Sequence, residues 1–331
     1  MNDRAVSLLG QYDIEVLRTR KGRGAILCDT NQGCLIFKEY AGNENKIRIQ
    51  DRLLNHIRET GKIQVESILP TREGSLFVKD MEGNSYVLKT YAEGRECNIY
   101  EKKECLEAVR VLARLHGCME LSQTEMDGLP ADGFFAGREY EKHNRELRKV
   151  RKYLKQRGQK TGFEIGLLNS FDYFLEQALA VTEEWNRYRL ENSQGHERKE
   201  TVLYCHGDYQ YHNILWGQEE WFVVNFEKCL PDNPIRDLYL FLRKLLEKSS
   251  WSVSLGKELL AAYQEERPIS DESRMDLYYR LAYPEKFWKI VNFYYNSGKA
   301  WIPERNREKL EKLVVQEKEK QIFLDEVFQR R

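Results

Sequence analysis

The order of strand-like and helix-like segments most limits what this 331-residue chain can fold into. In about the first 90 residues, short apolar runs alternate with glycine- and asparagine-containing turns, a pattern typical of β-strands. It predicts strands at 14–20, 25–28, 34–40, 75–79 and 85–91. Between the third and fourth strands, apolar residues recur at helical spacing from Ile47 to Ile57, so one helix is inserted there and ends at Gly61.

Beyond about residue 98 the apolar spacing is mostly helical, except for a strand-rich segment at 201–227. We therefore predict an α+β fold of two lobes. The N-lobe at 1–91 is a small five-stranded lobe with one helix, and the C-lobe at 92–331 is larger and mainly helical. The C-lobe also carries a hairpin at 201–229.

Composition and charge exclude several classes of protein. The 53 Lys and Arg residues are balanced by 53 Asp and Glu residues, so the chain lacks the positive surplus that general nucleic-acid binding requires. No run of about 18 apolar residues exists, and the N-terminus lacks a secretory apolar core. We expect no nucleic-acid partner, no membrane partner and synthesis in the cytoplasm. The seven cysteines form no C-x-x-C pair, which favours reduced thiols over a zinc site or a disulfide framework.

The motif with the clearest chemical meaning is His206-Gly-Asp208-x4-Asn213, placed between a strand and a short hairpin. Phosphoryl transfer needs a carboxylate that orients the attacking hydroxyl and an amide oxygen that holds magnesium on the nucleotide phosphates. Asp208 and Asn213 suit these roles. Protein kinases carry the similar pattern H-R-D-x4-N, and small-molecule kinases of the aminoglycoside phosphotransferase type carry H-G-D-x4-N. We expect His206 to be a packed, hydrogen-bonded residue rather than a base.

Elements upstream of the motif follow the order of a kinase-like fold. Lys38, in the third predicted strand, is the candidate for contacting nucleotide phosphates. The preceding turn contains Gly22 and Gly24, which let backbone amides approach an anion. Leu88 and Tyr91 lie where the last strand runs into a hinge, so we expect adenine to stack there. Asp237 resembles the aspartate that braces the catalytic loop in aminoglycoside and choline kinases.

Two positions depart from that pattern. The second metal ligand of a kinase-like site is an aspartate after the hairpin, but this sequence has Asn225. An amide presents one neutral oxygen, whereas Mg²⁺ favours carboxylates. Glu227 is an alternative ligand, although it is also consistent with a surface salt bridge. The inserted helix presents Gln50, rather than a glutamate, to Lys38.

The segment 142–160 is locally basic, with nine Lys or Arg residues and one acid, Glu146. Arg145, Arg148, Lys149 and Lys152 line one helical face. Either this is a solvated face or it is a docking surface for an acidic partner or an anionic substrate.

Taken together, the chain resembles the CotS family of spore coat proteins, which has an aminoglycoside-phosphotransferase-like (protein-kinase-like) fold. The resemblance covers about residues 12–315 and includes the aromatic-rich stretch YPEKFWKIVNFYYNS at 283–297. The other matching stretches are 18–25, 35–40, 85–89, 93–97, 206–208, 225–229 and 236–244. It implies synthesis in the mother cell of a spore-forming bacterium, deposition in the spore coat and other spore coat proteins as partners.

Two functions are consistent with these features. The first is a coat component or coat-assembly factor on a kinase-like scaffold, a pseudokinase. The second is an ATP- and Mg²⁺-dependent phosphotransferase acting on a hydroxyl of a small molecule or coat protein. In the second, Asp208 would be catalytic, Asn213 and Asn225 would bind Mg²⁺, and nucleotide-binding residues would be Lys38, Gly22, Gly24, Leu88 and Tyr91.

Overall fold

The first third of the chain is built around an antiparallel sheet. The computed structural model describes residues 7–22, 24–122, 136–192, 201–296 and 304–329. A short 3-10 helix, Ser7–Gln11, comes first. The strands and helix that follow are β1 Val16–Gly22, β2 Ala25–Thr30, β3 Gly33–Glu39, α1 Glu44–Thr60, β4 Gln64–Val65, β5 Ile68–Leu69, β6 Val78–Lys79, β7 Ser85–Thr90 and β8 Arg95–Glu96.

The remaining described elements are mostly helices. They are α2 Lys102–His116, β9 Glu120–Ser122, α3 Ala136–Gln156, α4 Gly162–Asn192, β10 Thr201–Cys205, β11 Ile214–Gly217, β12 Glu220–Val223, β13 Leu230–Pro231, α5 Ile235–Lys248, α6 Val253–Glu266, α7 Asp271–Ala282, α8 Glu285–Asn296, α9 Glu304–Val315 and α10 Glu317–Phe328. The predicted change from strands to helices is therefore present. The last two helices, α9 and α10, are separated only by Gln316.

The main sheet has the strand order β1-β2-β3-β7-β5, and β6 also pairs with β7. It therefore has one strand more than the five predicted. The additional strand, β5, contains only two residues and is too short for a periodic signal. In the register of β3 with β7, Phe37 lies opposite Leu88 and Lys38 lies opposite Val87. Because neighbouring residues of a strand point to opposite faces, Phe37 and Lys38 lie on different faces of the sheet.

One face of this sheet forms a hydrophobic cluster with the N-terminal segment. Phe37 is fully buried there and stacks on Tyr86, with ring centroids 5.4 Å apart. The members of this cluster are Leu9, Tyr12, Ile26, Cys28, Leu35, Phe37, Val78, Tyr86 and Leu88. The opposite face carries Lys38 and Lys89 beside the buried side chains of Ala25 and Val87.

Helix α1 forms where the apolar spacing predicted it. Asn43 caps its start by accepting a hydrogen bond from the Lys46 N–H at 2.9 Å. Gly61 ends it in the left-handed conformation, with φ of 63°. The buried residues are Ile47, Gln50, Leu53, Leu54 and Ile57, the same five that set the predicted period.

The chain divides into two compact units. The first comprises residues 1–133, 200–240 and 262–268, and the second comprises 134–199, 241–261 and 269–331. The sheet and the predicted catalytic loop both belong to the first unit. The predicted lobe boundary between residues 91 and 92 divides the chain differently and stays a prediction.

The core of the second unit is rich in aromatic residues. Tyr283 stacks on Tyr140 with ring centroids 3.8 Å apart, and Phe287 stacks on Phe174 at 4.7 Å. These residues explain the aromatic stretch that begins at Tyr283: several of its rings belong to the packing of the unit. None of the helices in the described ranges is both long enough and apolar enough to cross a membrane.

We expect the substitution Phe37→Ala to destabilise the protein by about 3–5 kcal/mol, because it empties a fully buried ring position. The matched control is Leu17→Ala on strand β1, where the side chain is 67% exposed and the expected change is within about 0.5 kcal/mol. The measurement is the urea midpoint followed by circular dichroism. Equal shifts for the two variants would contradict a stabilising role for the cluster.

Candidate active site

One buried carboxylate holds the loop that follows β10. Asp237 of α5 accepts hydrogen bonds from the backbone N–H groups of His206 at 2.6 Å and Gly207 at 2.8 Å. Burial by itself would raise the pKa of Asp237, but a hydrogen bond from His116 and the other donors outweigh burial and lower it. Asp237 therefore stays ionised and fixes the backbone immediately before Asp208, as its resemblance to the bracing aspartate predicted.

His116 supports this carboxylate from α2. Its Nε2 lies 3.2 Å from Asp237 Oδ2, and its Nδ1 lies 2.7 Å from the hydroxyl oxygen of Tyr263. A carboxylate only accepts, so Nε2 carries the proton and Nδ1 accepts from the tyrosine hydroxyl. Complete burial lowers the pKa of His116, which favours this neutral form.

His206 is also a buried, hydrogen-bonded residue, as predicted. Its Nδ1 accepts from the Asp208 N–H at 3.2 Å, and its Nε2 donates to the Val224 carbonyl oxygen at 3.0 Å. Both ring nitrogens are therefore occupied by backbone groups. His206 shapes the loop and has no nitrogen left to act as a base.

Asp208 points out of this loop. Its side chain is 29% exposed, and its Oδ2 lies 2.9 Å from Nζ of Lys228. Its backbone carbonyl accepts from Asn213 Nδ2 at 2.8 Å, which closes the loop between the two motif residues. The predicted catalytic carboxylate is therefore accessible, but it is paired with a lysine.

The two predicted metal ligands contact each other. Asn225 Oδ1 accepts from Lys38 Nζ at 3.2 Å, and Asn225 Nδ2 donates to Asn213 Oδ1 at 2.7 Å. The amide oxygens of both residues are thus already hydrogen-bond acceptors. Asn225 has a left-handed backbone, with φ of 68°, which asparagine and aspartate adopt more readily than most residues.

Glu227 lies between two lysines. Its Oε1 is 3.0 Å from Lys38 Nζ and 2.6 Å from Lys89 Nζ. Lys89 in turn contacts Glu66 Oε1 at 2.9 Å, which also accepts from the Phe226 N–H at 3.0 Å. The four charged residues Lys38, Lys89, Glu66 and Glu227 are hereafter called the ionic cluster.

Burial and charge oppose each other in this cluster. Burial lowers the pKa of Lys89, but the carboxylates of Glu66 and Glu227 outweigh it and raise the pKa above its ordinary value. Burial likewise favours a higher pKa for Glu227, but the ammonium groups of Lys89 and Lys38 lower it to about 2. Lys89 and Glu227 are therefore both charged at neutral pH. Removing one partner from a fully buried ion pair typically costs about 3–5 kcal/mol, and within the cluster Lys89 and Glu66 form such a pair.

The predicted nucleotide-binding residues divide into two groups. Ala25 pairs with Lys38, so the turn of Gly22 and Gly24 lies at the Lys38 end of the sheet. Leu88 lies in the hydrophobic cluster on the opposite face from Lys38, because it pairs with Phe37. Tyr91 follows β7 and is 36% exposed. The structure therefore places the glycine turn near Lys38 but buries the Leu88 side chain in the hydrophobic cluster on the other face. The nucleotide-binding roles of all five residues stay predictions.

Sequence reasoning missed three charged residues at this site. Lys89 lies two residues after Val87, so the two side chains point to the same face of the sheet. Val87 pairs with Lys38, and Lys89 therefore faces the same side as Lys38. Glu66 and Lys228 had no comparable signal in the sequence. The expected contact between Lys38 and Gln50 is wrong: Lys38 contacts Asn225 and Glu227, and the buried Gln50 amide has no hydrogen-bond partner within the described part of the chain.

Magnesium does not fit this arrangement of donors. The two amide oxygens expected to bind it accept hydrogen bonds from Lys38 and from Asn225, and the nearby carboxylates of Asp208 and Glu227 are each paired with lysine. Mg²⁺ binds through carboxylate and phosphate oxygens and demands near-octahedral geometry. A metal ion at these oxygens would therefore lie close to the ammonium groups of Lys38 and Lys228 and would be repelled by them.

We expect Gly207→Ala to destabilise the loop by about 3 kcal/mol or more, because an added Cβ would lie 2.0 Å from the Lys228 carbonyl oxygen. The matched control is Gly83→Ala, which has a similar φ of 86° but open space around it. That variant isolates backbone strain of about 1–2 kcal/mol. Thermal unfolding measures the difference, and equal losses would contradict the close approach at Gly207.

We expect Glu227→Gln to lower stability by about 2 kcal/mol near neutral pH, because both lysines lose their shared carboxylate. The folded-state pKa of Glu227 lies below its ordinary 4.5, so its contribution is present above pH 4.5 and is lost as the pH falls towards 2. The difference between the parent protein and the variant should therefore shrink on acidification.

Urea midpoints from about pH 7 to about pH 3 test this dependence. The control is Glu59→Gln, an exposed position on α1 for which the described residues show no ion pair. A stability difference between the parent protein and Glu227→Gln that stays constant over this range would contradict the assigned direction of the pKa shift.

Comparison with known proteins identifies the family and the fold of the chain. The family model described as spore coat putative kinase YutH matches residues 6–327. Spore coat protein S of Bacillus subtilis (strain 168) is 29% identical over 126 residues, which is 38% of this chain and 36% of that protein. The aligned part is thus about a third of that relative's length.

Two solved structures are similar over nearly the whole chain. An aminoglycoside phosphotransferase from Alicyclobacillus acidocaldarius has a TM-score of 0.82 at 19% identity, covering 99% of this chain and 96% of that one. Spectinomycin phosphotransferase APH(9)-Ia, in complex with ADP and spectinomycin, has a TM-score of 0.59 at 13% identity, covering 95% and 92%.

At these identities the solved structures show the fold, which is the predicted kinase-like fold with a sheet-bearing N-lobe and a larger helical C-lobe. The family model spans almost every residue, and its family is one of spore coat proteins. The chain therefore belongs to the spore coat putative kinase YutH family, and its localisation is the spore coat.

Proposed function

We propose that the protein is a coat component that uses the kinase-like fold as a scaffold and has lost Mg²⁺-dependent phosphoryl transfer. The observation that carries this proposal is Asn225. It stands where the fold would place a metal-binding aspartate, and its amide is hydrogen-bonded to Lys38 on one side and Asn213 on the other.

Electrostatic balance supports the proposal. The site has three ammonium groups, those of Lys38, Lys89 and Lys228, and these contact three carboxylates. Those carboxylates belong to Glu66, Glu227 and Asp208. The site is therefore neutral without a ligand. Lys38 Nζ already contacts Asn225 Oδ1 and Glu227 Oε1, so only one N–H of this ammonium group would remain for a nucleotide phosphate.

A second candidate function is an ATP-dependent phosphotransferase that acts on a hydroxyl of a small molecule or a coat protein. The observation in its favour is the loop around Asp208, which Asp237 and His206 hold as a kinase-like catalytic loop and which leaves the Asp208 carboxylate partly exposed. The similar spectinomycin phosphotransferase was solved with ADP. On this hypothesis Asp208 would orient the attacking hydroxyl.

On the first function, the partners are other spore coat proteins, and the site contributes stability rather than chemistry. On the second, a phosphate acceptor is required as well. The two hypotheses therefore differ in whether ATP and Mg²⁺ together bind the folded protein more tightly than either one alone.

We expect the melting temperature of the parent protein to be the same with ATP and Mg²⁺ together as with ATP alone. For Asn225→Asp we expect the melting temperature to rise only when ATP and Mg²⁺ are both present. Aspartate tolerates the left-handed backbone and adds a carboxylate beside Asn213. A ligand at a hundredfold excess over its dissociation constant adds about 2.7 kcal/mol, which differential scanning fluorimetry detects readily.

The matched control is Asn45→Asp, which makes the same charge change at an exposed position of α1. It should show no Mg²⁺-dependent rise. A rise in the parent protein that needs both ATP and Mg²⁺ would overturn the proposal. In that case a loss of turnover in folded Asp208→Asn would assign the catalytic role to Asp208.

A further inference from the structure

Helix α3 in the second unit carries a concentrated positive charge that the kinase-like site does not use. Arg145, Arg148, Lys149 and Lys152 are all exposed on it. They recur at helical spacing, so their side chains form a stripe along one side of the helix. The stripe and its extension to Lys155 are hereafter called the basic face.

Few of these charges are neutralised inside the unit. Arg151 and Lys155 both pair with the single carboxylate of Asp172 on α4. Arg148 and Lys152 have no hydrogen bond or ion pair to any residue in the described ranges. Together these four cations and Gln156 line a cavity of about 270 Å³. The cavity therefore combines four positive groups with one negative neighbour.

A second and larger cavity, of about 620 Å³, continues from Arg148 along the junction of α3 and α4. Its wall includes Arg145 beside the carboxylates of Glu141 and Glu183, and Arg187 in the same wall pairs with Glu183 at 3.9 Å. The positive surplus is therefore concentrated in the first cavity. From Arg145 to Lys155 the helix advances about 15 Å, the length of four or five residues of extended chain. The two cavities thus form a groove sized for a short peptide segment rather than for a single ion.

The charge distribution favours a protein over a nucleic acid as the occupant. Residues 142–160 contain nine basic side chains and one acidic, so the rest of the chain contains 44 basic and 52 acidic side chains. A long polyanion would extend beyond the basic face onto a surface with a negative surplus. A short acidic segment would end before reaching it.

We infer that the basic face and its groove are a docking site for an Asp- and Glu-rich segment of another spore coat protein. The positive charge of the basic face complements an acidic segment, and the length of the groove limits how much of that segment can bind. The inference rests on family membership and on the second unit alone, so it holds whether or not the kinase-like site is active.

The test uses the full chain and a fluorescein-labelled octaglutamate peptide, with binding followed by fluorescence anisotropy. We expect the double variant R148E/K152E to weaken binding by about tenfold or more, because it reverses two cations that lack partners in the described structure. Affinity of the parent protein should fall as salt rises from about 0.05 to about 0.5 M, since the Debye length shortens.

The matched control is R305E/K309E, which reverses an Arg and a Lys at the same i, i+4 spacing on exposed positions of α9. It should bind octaglutamate like the parent protein, and thermal unfolding should show both variants folded. No binding by the parent protein, or equal weakening by both variants, would overturn the inference. Competition by an oligothymidylate of equal charge that matches or exceeds unlabelled octaglutamate would also overturn it, because the face would then bind polyanions generally.

Discussion

The hydrogen bonds from two backbone N–H groups to the Asp237 carboxylate are the constraint on which the site depends. They fix His206 and Gly207, and His206 in turn accepts from the Asp208 N–H and donates to Val224. The same carboxylate is fully buried and held from α2 by His116. An unpaired buried carboxylate would be strongly destabilising, so the loop, α2 and the start of α5 are stable only together. Gly207 completes this arrangement, since only glycine leaves room for the Lys228 carbonyl.

The ionic cluster gives the same site a structural role. In a kinase-like site, cations would meet phosphates and carboxylates would meet metal ions. Here Lys38 and Lys89 contact Glu227, and Asn225 contacts Lys38 and Asn213. The amide of Asn225 accounts for much of this difference from a kinase site. It accepts from a lysine and donates to a second amide, whereas an aspartate carboxylate could only accept. The network therefore stabilises the protein without a ligand.

On the proposed function, the protein keeps the kinase-like fold without phosphoryl transfer and would act through its surface. The second unit supplies such a surface in α3, where Arg151 and Lys155 share the carboxylate of Asp172 and Arg148 and Lys152 have no partner among the described residues. The chain has no net charge, so the positive surplus on α3 is matched by an excess of acidic residues in the rest of the chain. Separating charge in this way favours oriented contacts, which suit a component of an assembled coat.

Local sequence determined the secondary structure and the motifs. The apolar period of α1, its cap at Asn43 and its end at Gly61, the glycine turn and the H-G-D-x4-N loop all depend on neighbouring residues. The sequence also identified Asn225 as a departure from kinases. The tertiary structure alone decided which groups meet. Glu66 and Lys228 carried no local signal, β5 was too short to show a period, and Leu88 was enclosed in the hydrophobic cluster by its register opposite Phe37. Ion pairs between residues such as Lys89 and Glu227, which lie far apart in the chain, depend on the packing of the whole unit, so no pattern in either segment could reveal them.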